Sequence, residues 1–324
     1  MGSCWCRRSV CGEISVPDTK SFTGARVGVF FGGVSVEREV SLRTGAAAAA
    51  ALRRRGYDVR EIDIREDWLG VVKDAGVDVA FISLHGRLGE DGCIQAAFEL
   101  AGIPYTGSGV VSSAVSMSKV FSKRLVAAAG VPCVPDEVYE GSRLLDAKPP
   151  SFGFPLVVKP EQGGSAIGVT IVRDFSEWEK AVELAARHDS RVLAESYVEG
   201  REITVSIVNG RVFPAIEIVP KSGVYDYHSK YTPGRTEYLI PVRMDKDILE
   251  RACEYTCRVA RTLRLRGAAR VDYMVDRAGN VFFLEVNTIP GMTETSLLPK
   301  AAKFDGISFE DLVEEILFDA GLSK

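Results

Sequence analysis

Apolar and polar positions along this chain follow two successive patterns. Up to about residue 107, short apolar runs alternate with helix-length amphipathic stretches. Arg26–Phe31 (RVGVFF) predicts a strand, and Gly32-Gly33 leads into Ser35-Val-Glu-Arg-Glu, a helix start with early acids. The Ala-rich helix that follows reaches about Arg55, with Gly56 placed to end it. Val59–Ile64 and Asp78–Leu84 (DVAFISL) predict further strands, the second ending in His85-Gly86, and a helix is expected around Ile94–Ala101. This strand–helix alternation predicts an open, mostly parallel α/β domain over residues 25–107.

The pattern then changes. Ser118–Ala129 predicts a helix stopped by Gly130 and Pro132. Phe154–Lys159 and Gly168–Val172 predict strands joined by the loop PEQGGSAI, followed by a helix over Ser176–Arg187 and a strand over Arg191–Tyr197. Glu202–Val208 and Arg211–Ile218 flank Asn209-Gly210, a hairpin turn pair. This half is α+β with antiparallel strands, divided into a central part, 108–200, and a C-terminal part, 201–324. Val219–Pro241 (VPKSGVYDYHSKYTPGRTEYLIP) reads as a polar, aromatic and basic loop too long for a simple connector. A helix over Lys246–Arg264, two strands, and a helix near Phe309–Phe318 complete the chain.

Composition narrows the function classes. The 324 residues are 46% hydrophobic and 26% charged, an ordinary globular balance with room for two or three domains. Lys+Arg (40) nearly matches Asp+Glu (44), which gives no reason to expect nucleic acid or an anionic membrane as partner. No apolar segment approaches the ~18 residues of a membrane span. Met1–Gly24 carries Arg7-Arg8 but no apolar centre, so it reads as a disordered tail rather than a signal peptide. Seven cysteines without a C-x-x-C pair predict reduced cytosolic thiols, with Cys253 and Cys257 on one buried helix face.

Candidate chemistry concentrates in two neighbouring strands. In VFFLEVN, alternation predicts that Val281, Phe283, Glu285 and Asn287 share a face. The preceding strand, Ala269–Val275, carries Arg270 and Asp272 on one face, and a turn at Arg277–Asn280 would pair Asp276 with Val281. That register sets Asp272 opposite Glu285 and Arg270 opposite Asn287. Opposed carboxylates in an apolar strand pair call for a cation, and all-oxygen donors suit Mg²⁺ better than zinc. An Arg270–Asp272 structural ion pair is the other reading. The loop EQGGSAIG after Lys159 lacks the P-loop pattern, yet a glycine-rich hairpin can fold N–H groups over phosphates. Read alone, it could equally be a flexible surface hairpin. Glu195 and Glu202 bracket a strand junction, where acids can meet an adenine amino group and ribose hydroxyls; either alone could be a solvated strand end.

LHGRLGEDG (Leu84–Gly92), YTGSG (Tyr105–Gly109), YDYHSKY (Tyr225–Tyr231) and EVNTIPGMTETSLLP (Glu285–Pro299) together resemble the D-alanine–D-alanine ligases. The resemblance runs from about Arg26 to the C-terminus and implies an ATP-grasp fold preceded by a Rossmann-like parallel α/β domain. It implies ATP-dependent joining of two D-alanines through an acyl phosphate, for peptidoglycan, by a cytoplasmic homodimer. By motif position, Asp272, Glu285 and Asn287 should bind two Mg²⁺ (or Mn²⁺) ions. Lys119, Lys159 and Lys230 should hold ATP phosphates, while Glu195, Val198 and Glu202 should serve adenine and ribose. Glu37 matches the holder of the first D-alanine's ammonium, with Ser165 and Tyr231 as hydrogen-bonding partners that help close 219–241 as a lid. Arg270 and the Gly291 N–H should stabilise the oxyanion, Ser296 should bind the second carboxylate, and His85 should line the first site unless its role is purely structural.

Four features depart from the family pattern. Ala166 stands where many members have a second serine, beside Gly163-Gly164; Ser118 replaces the Asp that usually precedes the lysine. His228 is uncommon in its loop, and the tail Met1–Gly24 has no counterpart. Tyr231 argues against a D-alanyl–D-lactate ligase, whose members usually lack it. The retained Asp272, Glu285 and Asn287 argue against a silent nucleotide-binding module, and GVFFGG lacks the spacing of a Rossmann dehydrogenase.

Overall fold

The computed structural model describes residues 11, 22–144, 147–221, 232, 234–293 and 296–324, without the side chains of 142 and 143. The first pattern folds as expected. Strands β1 (Arg26–Gly32), β2 (Asp58–Ile64) and β3 (Val79–Ile82) form a parallel sheet ordered β2-β1-β3. They are linked through helices α1 (Arg38–Arg54) and α2 (Trp68–Lys73). Val27, Val29 and Phe31 pack on Ala48, Ala49 and Leu52 of α1, while Phe30 turns to a second core with Ile82 and Phe98. Burial on both faces explains why β1 reads as a continuous apolar run. Helix α3 (Cys93–Ala101) follows.

Two further helices, α4 (Val110–Met117) and α5 (Lys119–Ala128), meet at Ser118, which ends the first and caps the second. A four-stranded antiparallel sheet comes next: β4 (Asp136–Glu140), β5 (Leu156–Pro160), β6 (Thr170–Val172) and β7 (Arg191–Ser196), ordered β4-β7-β5-β6. A 3-10 turn occupies Gly141–Leu144. Helix α6 (Phe175–Ala186) buries Trp178, Ala181, Val182 and Ala185 against this sheet, an i, i+3, i+4, i+7 stripe.

The larger antiparallel sheet holds β8 (Gly200–Val208), β9 (Arg211–Val212), β10 (Ile216–Pro220), β11 (Thr236–Leu239), β12 (Ala268–Asp276) and β13 (Val281–Asn287). The Asn209-Gly210 turn forms with positive φ at both residues. The strand expected over Arg211–Ile218 is instead broken into β9 and β10, because Pro214 between them cannot donate to a ladder. The single long loop expected over 219–241 is also revised. Val219 and Pro220 finish β10, and Thr236–Leu239 returns beside it as an antiparallel edge strand. Helix α7 (Lys246–Thr262) packs Ala252, Thr256, Val259 and Ala260 on the back of this sheet. Helices α8 (Leu297–Phe304) and α9 (Phe309–Phe318) close the chain, and α9 joins the core beneath α1. Among the described residues no helix is long and apolar enough to cross a membrane.

The expectation of reduced thiols is overturned for Cys11, Cys253 and Cys257, whereas Cys93 and Cys133 are free thiols. Cys11 is disulfide-bonded to Cys257, Cα atoms 5.2 Å apart, and Cys253 is disulfide-bonded too. Cys11 is buried and donates its N–H to the Gly210 carbonyl at 3.0 Å. Cysteines 246 positions apart carry no spacing signature, so only the fold could pair them.

Candidate active site

The strand pair β12–β13 supplies the floor of the site, and its register matches the expectation at the chemical end: Arg270 opposes Asn287 and Asp272 opposes Glu285. Towards the turn it slips by one, so Val275 rather than Asp276 opposes Val281. The irregularity falls between Asp272 and Tyr273, opposite Leu284. This corrects the predicted common face. Val281, Phe283 and Val286 point into the core beside Tyr273, whereas Leu284 and Glu285 line a cavity together. A bulge re-aims side chains at one point in a strand. Here it lets Phe283 stay in the core without burying Glu285 there.

Asp272 is held from two directions. Arg270 Nε and Nη2 each donate to it at 2.9 Å, and Thr204 Oγ1 donates at 2.5 Å from β8. The ion-pair reading of these two residues is therefore realised, and Asp272 lines neither cavity described below. Three donors still leave a carboxylate with roughly one further lone-pair site.

Among the described residues, two cavities of 150 Å³ or more open over this floor. The larger, about 400 Å³, lies between the two antiparallel sheets. Its walls include Lys119, Lys159, Glu195, Val198 and Glu202, with the glycine-rich loop after β5 along one side. Within that loop Gly163, Ser165 and Ala166 adopt positive φ, which folds the hairpin tip back on itself. Lys119 Nζ donates to the Gly163 carbonyl at 2.6 Å and lies 3.7 Å from Glu285. Burial lowers the Lys119 pKa, and Glu285 works against that shift. Glu195 is buried, with Lys123 at 2.5 Å on one oxygen and Lys159 on the other. Burial alone would raise its carboxyl, but Lys159 and Lys123 outweigh it and hold the pKa below the ordinary range.

The smaller cavity, about 150 Å³, is lined by Glu37, His85, Arg270, Asn287, Gly291 and Ser296. Ser165 at the loop tip donates to Glu37, which reaches in from the turn after β1. His85 is buried with Nε2 3.3 Å from Thr44 Oγ1, and burial depresses its pKa against the pull of Glu37, keeping the ring neutral at pH 7. Ser296 precedes α8 as its cap residue, yet its hydroxyl turns to the Thr293 N–H at 3.0 Å rather than to the helix. Gly291 lies so close that an added Cβ would sit 2.9 Å from that hydroxyl.

The two cavities meet: Gly164 and Glu285 lie in the walls of both. Of the expected site residues, Lys230 and Tyr231 lie outside the described residues. Several others were missed. Glu90 accepts from the Gly86 N–H at 2.6 Å and faces the smaller cavity, where burial, then Glu37, push its carboxyl up to about 8. Its signal was its place in the motif LHGRLGEDG. Lys123, four residues beyond Lys119 on α5, pairs with Glu195 and with Asp136 at 2.7 Å; that i, i+4 spacing was a usable signal. Glu217, clamped by Arg201, and Tyr238, on β11, line the cavities without any sequence cue.

Comparison with known proteins points to one family. The family model for the D-ala D-ala ligase C-terminus matches residues 125–318, and that for the D-ala D-ala ligase N-terminus matches residues 70–108. A D-alanine–D-alanine ligase from Syntrophotalea carbinolica is 49% identical, with 92% of this chain and 97% of the relative covered. One from Geobacter sulfurreducens is 46% identical, covering 92% and 94%. Among solved structures, a D-alanine–D-alanine ligase from Bacillus anthracis complexed with ATP superposes with a TM-score of 0.79 at 34% identity, covering 91% of this chain and 97% of that one. A D-Ala:D-Ser ligase from Enterococcus faecalis gives the same TM-score at 30% identity, covering 90% and 99%. A small and a large antiparallel sheet clamped over one cavity, behind a parallel α/β domain, make this an ATP-grasp protein. The chain belongs to the D-alanine–D-alanine ligase family.

Proposed function

We infer that this chain uses ATP to join two D-alanines, with ADP and phosphate released, as a supplier of peptidoglycan dipeptide. The observation that carries this reading is the junction of the two cavities at Gly164 and Glu285, where a γ-phosphate from one side can meet a carboxylate from the other. The larger cavity takes the nucleotide. Glu195 accepts from the adenine amino group once Lys159 turns to phosphate, the backbone at Val198 meets the ring edge, and Glu202 holds the ribose. Lys119 and Lys159, with Lys230 from the 219–241 segment, neutralise the phosphates.

Glu37, held by Ser165, receives the first D-alanine's ammonium in the smaller cavity, beside the neutral His85. The carboxylate of this D-alanine attacks the γ-phosphorus and ADP departs. The second D-alanine is gripped by its carboxylate near Ser296, at the start of α8, where helix N–H groups favour anions. Its free amine attacks the acyl carbon, Arg270 and the Gly291 N–H meet the oxyanion, and phosphate leaves with the proton. Tyr231 and the 219–241 segment close over the acyl phosphate and exclude water.

The donor set fits hard divalent cations. Among the described residues no cluster of three or more His, Cys, Asp or Glu is arranged to hold a metal. Mg²⁺ characteristically takes one or two carboxylates and completes its shell with substrate phosphates and water. Asp272, Glu285 and Asn287 would hold two Mg²⁺ (or Mn²⁺), which supply charge neutralisation at the transferring phosphoryl group. In this reading residues 25–107 carry the first amino-acid site, 108–200 the nucleotide cover and 201–324 the floor and lid, in a cytoplasmic homodimer. The test is phosphate release with Mg-ATP. Release with D-alanine but not L-alanine, and no greater when D-lactate or D-serine is added as acceptor, is expected. Preferential use of D-lactate or D-serine would reassign the acceptor.

A further inference from the structure

Glu161 is fully buried at the first position of the glycine-rich loop, and nothing in the chemistry above uses it. Its Oε1 accepts from the Ser118 hydroxyl and from the Val120 N–H at 3.4 Å, while Oε2 is buried with no hydrogen-bond partner. Among the described residues the ion pair it makes is a long one, to Arg191 Nη1 at 4.0 Å from Oε1. Burying a carboxylate with one oxygen unsatisfied is costly. Glu161 adds to the cap of α5 through the Val120 N–H, but Ser118 already supplies the cap side chain by accepting from the Phe121 N–H at 3.1 Å, so capping alone does not account for a buried carboxylate here. The carboxylate is retained for where it ties the loop.

The ties run to both sides of the larger cavity. Glu161 N–H donates to the Arg191 carbonyl at 3.0 Å and Gln162 N–H to Asp189 at 2.7 Å, fixing the loop stem to the small sheet. On the other side the Lys119 N–H donates to the Glu161 carbonyl at 3.3 Å, and Lys119 Nζ reaches Gly163 O. Helix α5 belongs to the other side of the clamp, since its Val126 packs in the core of the large sheet. The buried carboxylate thus sits at the seam, and the favourable field of the α5 N-terminus acts on it.

We propose that Glu161 is a positioning residue for nucleotide binding: through the Ser118 hydroxyl it sets the glycine-rich loop against Lys119, so that loop N–H groups and the lysine address the same phosphate. This rests on the larger cavity taking ATP. It also gives the departure at position 118 a physical reason. With a carboxylate arriving from the loop, residue 118 must donate as well as cap, which a hydroxyl does and an ionised Asp cannot. Ser118→Asp would set two carboxylates against each other, whereas exchanging the two side-chain types would restore one donor facing one acceptor.

The experiment measures the dissociation constant of Mg-AMP-PNP by calorimetry, which needs no turnover, together with KM for ATP and for D-alanine. Ser118→Asp and Glu161→Ser are each expected to weaken AMP-PNP binding roughly tenfold or more, about 1.4 kcal/mol. The S118D/E161S double variant should recover to within about threefold of the parent, and KM for D-alanine should stay near the parent value throughout. If a single variant does not fold, the double variant alone decides, since the exchange either restores affinity or fails to. Single variants within twofold of the parent, a double variant no tighter than the weaker single one, or a parallel rise in both KM values would overturn the proposal. Failure of the parent chain itself to bind Mg-AMP-PNP would overturn the nucleotide reading and this inference with it, whereas binding without D-alanine turnover would strike only the assigned reaction.

Discussion

Glu285 shows how a single side chain can be shared by two cavities. It stands in the walls of both cavities and 3.7 Å from Lys119, so in the proposed reading its charge acts where phosphate and carboxylate would meet. Glu285→Gln keeps the shape and removes the charge. D-alanine-dependent phosphate release should fall by about 10²-fold or more, with the melting temperature little changed; near-parent turnover would refute the metal assignment. Glu90 offers a different measurement. Its carboxyl, pushed up to about 8 by burial and by Glu37, ionises far below that in the unfolded chain. A folded-state value above the unfolded one means the stability linked to this group is complete below about pH 4.3 and drains away as pH rises through about 8. Denaturant midpoints at pH 5 and pH 8 should therefore differ more in the parent than in Glu90→Gln. A gap of roughly 1–3 kcal/mol is expected, well under the full linkage figure because the carboxyl partly faces an open cavity.

At the scale of elements, periodicity located the strands and helices but not their irregularities. Arg26–Phe31, Phe309–Phe318 and the Asp272–Glu285 pairing were legible because apolar spacing and turn residues act locally. The bulge at Leu284 was not, because it depends on Phe283 finding Tyr273 across the ladder, a contact that no single strand records. Edge strand β11 was hidden for a similar reason: its ladder partner is β10, and its Tyr238 packs on a core built from distant parts of the chain. Lys119, Lys159, Glu195, Glu202 and Glu37 were legible as candidates through their motif positions, whereas Glu161 and Glu217 gain meaning only from partners far away in sequence. One element-level prediction concerns the start of β8. Gly200 pairs with Asp276 across the ladder, and a Cβ there would meet the Val275 carbonyl oxygen at 2.0 Å. Backbone cannot yield as a flexible side chain does, so Gly200→Ala should lose about 1–3 kcal/mol in equilibrium unfolding. It should also weaken AMP-PNP binding, because Gly200 lines the larger cavity; unaltered stability would show that the strand start gives way.

For the whole molecule, the clamp depends on the large sheet staying rigid behind the two cavities. Its rear core gathers Val205, Val271, Tyr273 and Phe283 under α7, and Cys11 enters that same core through its bond to Cys257. The bond joins positions 246 residues apart, a loop long enough for cross-linking to restrict the unfolded chain strongly. It also sits uneasily with a cytosolic setting, where thiols are generally kept reduced. The two facts can be separated by experiment. Under oxidising conditions Cys257→Ser should unfold at lower denaturant than the parent, by about 2–4 kcal/mol. Reductant should bring the parent down towards the variant. The variant's own response should be confined to what the Cys253 disulfide contributes. Ligase turnover below the unfolding range should not change, because Cys257 lies behind the sheet and lines neither cavity. A parent whose unfolding ignores reductant, with all seven cysteines titrating as free thiols, would mean that the tail is not stapled to α7. The site geometry would then have to stand on the sheet core alone.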